Sequence, residues 1–239
     1  MKFIFKYIKA NWDRLGTMLV LQGGVFVLGV LLVIFINASI NQDPDYAAIG
    51  GMMALFCTAF TGLVYGFGIA GVHYGLAISM GQTRRDYILA APLCSALFTL
   101  VGVGTAWVLT QLEKGLYRLL YPGYTCELDI LAMVPWWGLA LGVLGVVVAE
   151  FLLGAMGLRF GQKGLLFVWL PLCLAPSLLG NSVSAARKGG TSLLAGLGRG
   201  VLWLVQCLSP TAWVALGAVV LLVLLAWSVH WYRRAEVKL

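Results

Sequence analysis

Leu15 to Ile36 reads LGTMLVLQGGVFVLGVLLVIFI, a run without one charged side chain. About 20 apolar residues, each rising 1.5 Å, carry a helix across the hydrocarbon of a bilayer. This run is long enough to do so. Four basic residues, Lys2, Lys6, Lys9 and Arg14, precede it among aromatics, and polar Asn37 to Tyr46, with Asp43, Pro44 and Asp45, follows. A stretch this long is expected to stay in the membrane rather than to be removed as a signal peptide.

The rest of the chain repeats the pattern. Of 239 residues, 61% are apolar and 10% charged, against about 25% charged in a soluble domain. So few charges cannot cover a water-facing surface, and an all-α polytopic membrane protein is expected. Spans are predicted at 15–36, 48–75, 88–111, 132–156, 165–185 and 211–232, making 15–239 a six-helix transmembrane domain. Pro171 and Pro176 would kink the fifth span. Leu193 to Ser209 is apolar at its end but too short to cross, and Pro210 closes it. It is read as a re-entrant hairpin before the last helix.

Six spans place eleven of the sixteen Lys and Arg on one side: those of the N-terminus, Arg84, Arg85, Arg159, Lys163, Arg233, Arg234 and Lys238. Lys114, Arg118, Arg187, Lys188 and Arg199 fall on the other. The rule that basic loops stay inside predicts both termini in the cytoplasm. It also accounts for the formal charge of +7 without a nucleic-acid partner. Trp136, Trp137, Trp203, Trp213, Trp227 and Trp231 lie near span ends, as an aromatic belt would.

Residues 1–14, MKFIFKYIKANWDR, predict a cytoplasmic amphipathic helix at the headgroup layer, with Phe3, Tyr7, Ile8 and Trp12 on its apolar stripe. Glu150 is read as the one acid well inside a span, paired with Arg159, His73 or another basic group nearby, or else placed for gating. His230, beside Trp231 and Tyr232, reads as an anchor at the interface. Glycine pairs at four-residue spacing, Gly62/Gly66, Gly71/Gly75 and Gly138/Gly142, allow close helix packing. Cys126 and Cys207 fall near one predicted face, although no spacing rule supports a bridge between them. No metal-ligand spacing, catalytic dyad, Gly-x-Ser-x-Gly turn or Walker A pattern is present, so no catalytic, cofactor or metal site is expected.

Between the second and third spans stands Gly75-Leu-Ala-Ile-Ser-Met-Gly-Gln-Thr-Arg-Arg-Asp-Tyr87. Gly81 permits a sharp turn, and Thr83 can cap a short helix that opens with Arg84, Arg85 and Asp86. Two arginines at a helix start oppose its dipole, which points either to a partner, lipid phosphate or a protein carboxylate, or to positive-inside anchoring on the cytoplasmic side.

The motif Ser-Met-Gly-x-Thr-Arg-Arg-Asp-Tyr after the second of six spans resembles the ABC-2 type permeases of bacterial ATP-driven exporters. As architecture the resemblance covers the whole chain; as sequence it covers about a dozen residues around Gly81. It implies a coupling helix in which Gly81 shapes the turn, Thr83 caps it, Arg84, Arg85 and Asp86 meet an ATPase subunit or the N-terminal helix, and Tyr87 anchors the next span. ATP and Mg would then be held by the partner ATPase, with a second permease chain, identical or homologous, alongside in the plasma membrane. Low polarity within the spans suggests an amphipathic or hydrophobic cargo, such as a peptide or lipid. The alternative from another class is a six-span capture subunit of a vitamin-type importer.

Overall fold

The computed structural model describes residues 7–40, 45–68, 70–79, 81, 83–121, 125–161, 174, 178, 180–184, 187–188, 196, 199–200, 202–203, 207 and 209–234. Among them, in chain order, are α1 (Trp12–Ile40), β1 (Asp45–Ala47), α2 (Ile49–Gly68), α3 (Ala70–Ser79), α4 (Arg84–Leu120), β2 (Thr125–Leu128), α5 (Ile130–Met133), α6 (Trp136–Phe160) and α7 (Pro210–Arg234). Five of these, α1, α2, α4, α6 and α7, contain segments long and apolar enough to cross a membrane. The span read at 165–185 and the hairpin read at Leu193 to Ser209 lie mostly outside the described residues.

Several boundaries differ from the sequence reading. The second span, read as 48–75, is divided: α2 ends at Gly68 and α3 starts at Ala70. The third, read as 88–111, belongs to a 37-residue helix. Hydropathy falls after Leu112, but Gln111 to Leu120 is rich in helix formers. The helix stops at Tyr121, whose extended backbone suits the residue before a proline. α6 starts at Trp136, because Pro135 at its N-cap holds the preceding chain out of helix. The two polar stretches read as loops each hold a short strand, and these pair in parallel, Asp45 with Thr125 and Tyr46 with Cys126. Among the described residues, the regular structure is helical apart from that pair. Cys207 is a free thiol, so it forms no bridge to Cys126.

The bundle has two ends. At one, residues 7–14 meet α3, the start of α4 and the ends of α6 and α7, around buried Tyr74, Tyr87, Phe151 and Tyr232. At the other, β1 and β2 bridge the entry to α2 and the exit from α4. Large apolar side chains point outward from α1 (Val20, Leu28, Phe35) and α7 (Val219, Leu222, Val223). Only 22% of the α1 window and 6% of the α7 window are buried within the chain. Continuous outward apolar surface of this kind is solvated by lipid, and the protein is a membrane protein.

Small residues set how closely the helices approach. A Cβ on Gly66 would lie 2.7 Å from the Cα and from the carbonyl oxygen of Glu150, and one on Gly62 would meet Val146. This glycine pair therefore seats α2 against α6. Gly75 and Gly142 face open space. Gly29 and Gly50 make a second close crossing, between α1 and α2.

Backbone cannot yield to a new methyl as a flexible side chain can. Gly66→Ala is therefore expected to cost about 1–3 kcal/mol by overpacking the α2–α6 seam. Gly75→Ala should be neutral or slightly stabilising. Thermal unfolding of the two purified variants in detergent distinguishes these outcomes.

Candidate functional site

Glu150 lies on α6 and is buried. A carboxylate at membrane depth needs a counter-charge and further hydrogen bonds. Both come from other helices. Arg14, near the start of α1, grips it with two bonds, Nη1 to Oε1 at 2.6 Å and Nη2 to Oε2 at 2.7 Å. Ser95 on α4 donates its hydroxyl to Oε2. The side chains of the pair are only 12% and 10% exposed. Tyr65 of α2 covers the guanidinium face, its ring centroid 4.5 Å from Arg14 Cζ, and Phe98 stands at 5.6 Å. One ion pair thus joins four helices.

Sequence reading offered Arg159, His73 or another basic group nearby as the partner of Glu150, and Arg14 is such a group. Arg159 itself lies over Phe160 and Trp231. His73 borders the same small pocket as Arg14 but does not bond the carboxylate.

Next to the ion pair, towards the turn, is an aromatic collar. Tyr87 packs edge-on against Tyr7 and Tyr74, at 5.8 and 5.1 Å between centroids. Tyr232 meets Tyr74 at 5.3 Å and stacks on Phe151 at 4.4 Å. The hydroxyls of Tyr7 and Tyr87 are hydrogen-bonded. Burial pushes the Tyr7 phenol up to about 12, so it stays protonated at any physiological pH. Between collar and ion pair lies the pocket, with room for one or two water molecules.

The turn read as a coupling element lies outside this collar. Gly81 adopts φ 79°, a conformation that favours glycine. Thr83 N-caps α4: its hydroxyl accepts from the Asp86 N–H at 3.2 Å and donates to Asp86 Oδ2 at 2.7 Å. Arg84, Arg85 and Asp86 are exposed. Arg84 Nη1 donates to the carbonyl of Arg233 at 2.9 Å, fastening the turn to the end of α7. The helix that Thr83 caps is no short separate piece but the first turn of α4. Tyr87, read as an interfacial anchor, is 1% exposed and sits at the centre of the collar.

Phe3 lies outside the described residues. Tyr7 and Ile8 pack against the bundle, next to Leu15, Met18, Cys94 and Phe98, whereas Trp12 is 61% exposed. The apolar positions among residues 7–12 are thus shared between protein and surroundings, and the chain turns at Asn11 before α1 begins.

Two further polar centres were missed in the sequence. Gln22, fully buried on α1, donates through Nε2 to Thr58 Oγ1 at 2.6 Å and to the Gly102 carbonyl at 2.9 Å. Glu113, also fully buried, accepts from the N–H groups of Gly50 and Gly51 at 3.0 and 2.8 Å and from Tyr117 at 3.0 Å. It caps the N-terminus of α2, where free N–H groups and the helix dipole favour an anion. Glu150 is therefore not the only acid buried among the helices. The spacing of Glu113 and Tyr117, one helical turn apart, carried the signal.

Against family models, curated proteins and solved structures, no significant match is found for the chain.

Removing one member of a buried pair leaves an uncompensated charge, whereas removing both does not. Arg14→Met or Glu150→Leu alone is expected to cost about 3–5 kcal/mol, and the double variant to recover most of it. Unfolding midpoints of the four proteins in one detergent measure the coupling directly.

Proposed function

We propose that this chain is the membrane-spanning subunit of an ATP-driven exporter of the ABC-2 permease type. It works in the bacterial plasma membrane with both termini cytoplasmic. A second permease chain, identical or homologous, completes the pathway, and separate ATPase subunits hold ATP and Mg. The cargo is amphipathic or hydrophobic, of peptide or lipid character.

One observation carries this reading. The exposed turn from Gly81 to Asp86 opens a 37-residue continuous helix whose inner face meets the buried ion pair at Ser95 and the α2 cap at Glu113. A subunit pressing on that turn would act on both contacts through one helix, with Pro92 between the turn and the first of them. Cargo capture within one chain finds less support, because the buried polar groups mostly satisfy one another and the pocket admits only about a water or two.

Chain direction supports a sixth crossing. The ends of α6 and α7 lie together, with Phe151 stacked on Tyr232 and Phe160 against Trp231. With both helices spanning they run the same way, which fits a reading in which the chain crosses once more between them and keeps both termini on one side.

A charge reversal tests the coupling assignment. Arg85→Glu, alone and with Arg84→Glu, is expected to abolish co-purification of the ATPase or its stimulation by the permease. The single Arg85 variant, whose side chain makes no bond to another described residue, should retain the unfolding midpoint of the parent. If both variants kept full assembly and full ATPase stimulation, the turn would not be the coupling element.

A further inference from the structure

The Tyr232 side chain is fully buried, and its hydroxyl meets no hydrogen-bond partner among the described residues. Its backbone carbonyl is used, accepting from Tyr74 at 3.0 Å. An orphaned buried hydroxyl carries the full cost of its lost hydration, so native proteins rarely leave one unmatched. Tyr232 borders the pocket between collar and ion pair.

The same pocket offers acceptors. Glu150 receives three hydrogen bonds, two from Arg14 and one from Ser95. A carboxylate has about four acceptor positions, so one is left. Tyr7 and Tyr87 also line the pocket. Charge and size restrict the guest further. Arg14 and Glu150 neutralise each other, which selects neither an anion nor a cation. The space suits one or two molecules of water.

We infer that this pocket is a hydration site, in which bound water accepts the Tyr232 hydroxyl's hydrogen bond and donates to Glu150. The water ties the end of α7 to the Arg14–Glu150 pair. Such a link differs from a direct contact: it re-forms after a small displacement, because a water reorients where a side-chain pair must break. The end of α7 is thereby joined both to the turn, through the Arg84 bond to Arg233, and to the ion pair, through water. The inference is independent of the export reading.

The sign of a stability change tests it. Tyr232→Phe removes only the hydroxyl. With water bound there, the full-length variant in detergent is expected to unfold about 2–4 °C lower than the parent. Tyr117→Phe, which loses a bond to Glu113, is the matched control and should shift the same way. An unchanged or raised midpoint for Tyr232→Phe would mean that the hydroxyl had no partner to lose, and the site would be dry. Radiolytic footprinting of the unmodified protein in ¹⁸O-water gives a second answer that does not depend on the variant folding. Incorporation of ¹⁸O at buried Tyr232 is expected, while its absence, with exposed Trp12 labelled in the same sample, would overturn the proposal.

Discussion

A carboxylate carried on an apolar helix has to be neutralised from another helix, and Glu150 meets that demand through Arg14, 136 residues earlier in the chain. Two parallel bonds fix the guanidinium in plane as well as in distance, which a single contact would not do. The planar group then presents a face, and Tyr65 covers it. Ser95 completes the carboxylate from α4. α1, α2, α4 and α6 are thus brought to one point by the requirements of one acid. This explains why Gly66 lies where it does: α2 must come within backbone contact of Glu150, and a side chain there would hold it away.

The remaining polar contacts follow the same logic at other depths. Gln22 fastens α1 to α2 and α4 near the middle of the bundle, and Glu113 fastens α4 to the start of α2 at the far end. Lipid gives apolar side chains no reason to prefer one helix face over another, because its tails are as apolar as leucine. Buried polar groups supply that preference. Each has few acceptable partners, so three of them along the bundle specify the register of α1, α2 and α4. The outward faces need only be apolar, and α7, with 6% of its window buried, is the extreme case.

Much of this could be read in the sequence, and the rest was hidden for definite reasons. An uninterrupted run such as Leu15 to Ile36 announces a spanning helix because length and apolarity are local properties. The end of a helix is not announced in the same way: hydropathy marks where lipid stops, and α4 runs on through Glu113 and Tyr117 after that point. The break between α2 and α3 falls among small and apolar residues with no charge to signal it. β1 and β2 had no local sign, since each is only three or four residues long and has meaning only beside the other. Glu150 stood out as an acid in a span, but its partner did not. Arg14 adjoins the first apolar run and passes for a topology signal, and only knowledge of depth in the bundle separates it from exposed Lys9.

The aromatic collar also constrains how any motion at the turn could reach the ion pair. Tyr87 is three residues beyond Arg84 on α4 and touches both Tyr7 and Tyr74, while Tyr74 touches Tyr232. Displacing the first turn of α4 therefore shifts rings that belong to the N-terminal segment, to α3 and to α7. Ser95 lies further along the same helix, beyond Pro92, whose ring removes one backbone hydrogen bond from the helix between the turn and this ligand of Glu150. Two routes consequently run from the turn to the ion pair, one along the α4 backbone and one across the collar. The Arg84 bond to the Arg233 carbonyl commits the end of α7 to the same displacement. Contacts so shared tie the first turn of α4 to the N-terminal segment, α3 and α7, and Gly81, with its positive φ, stands before the first of them.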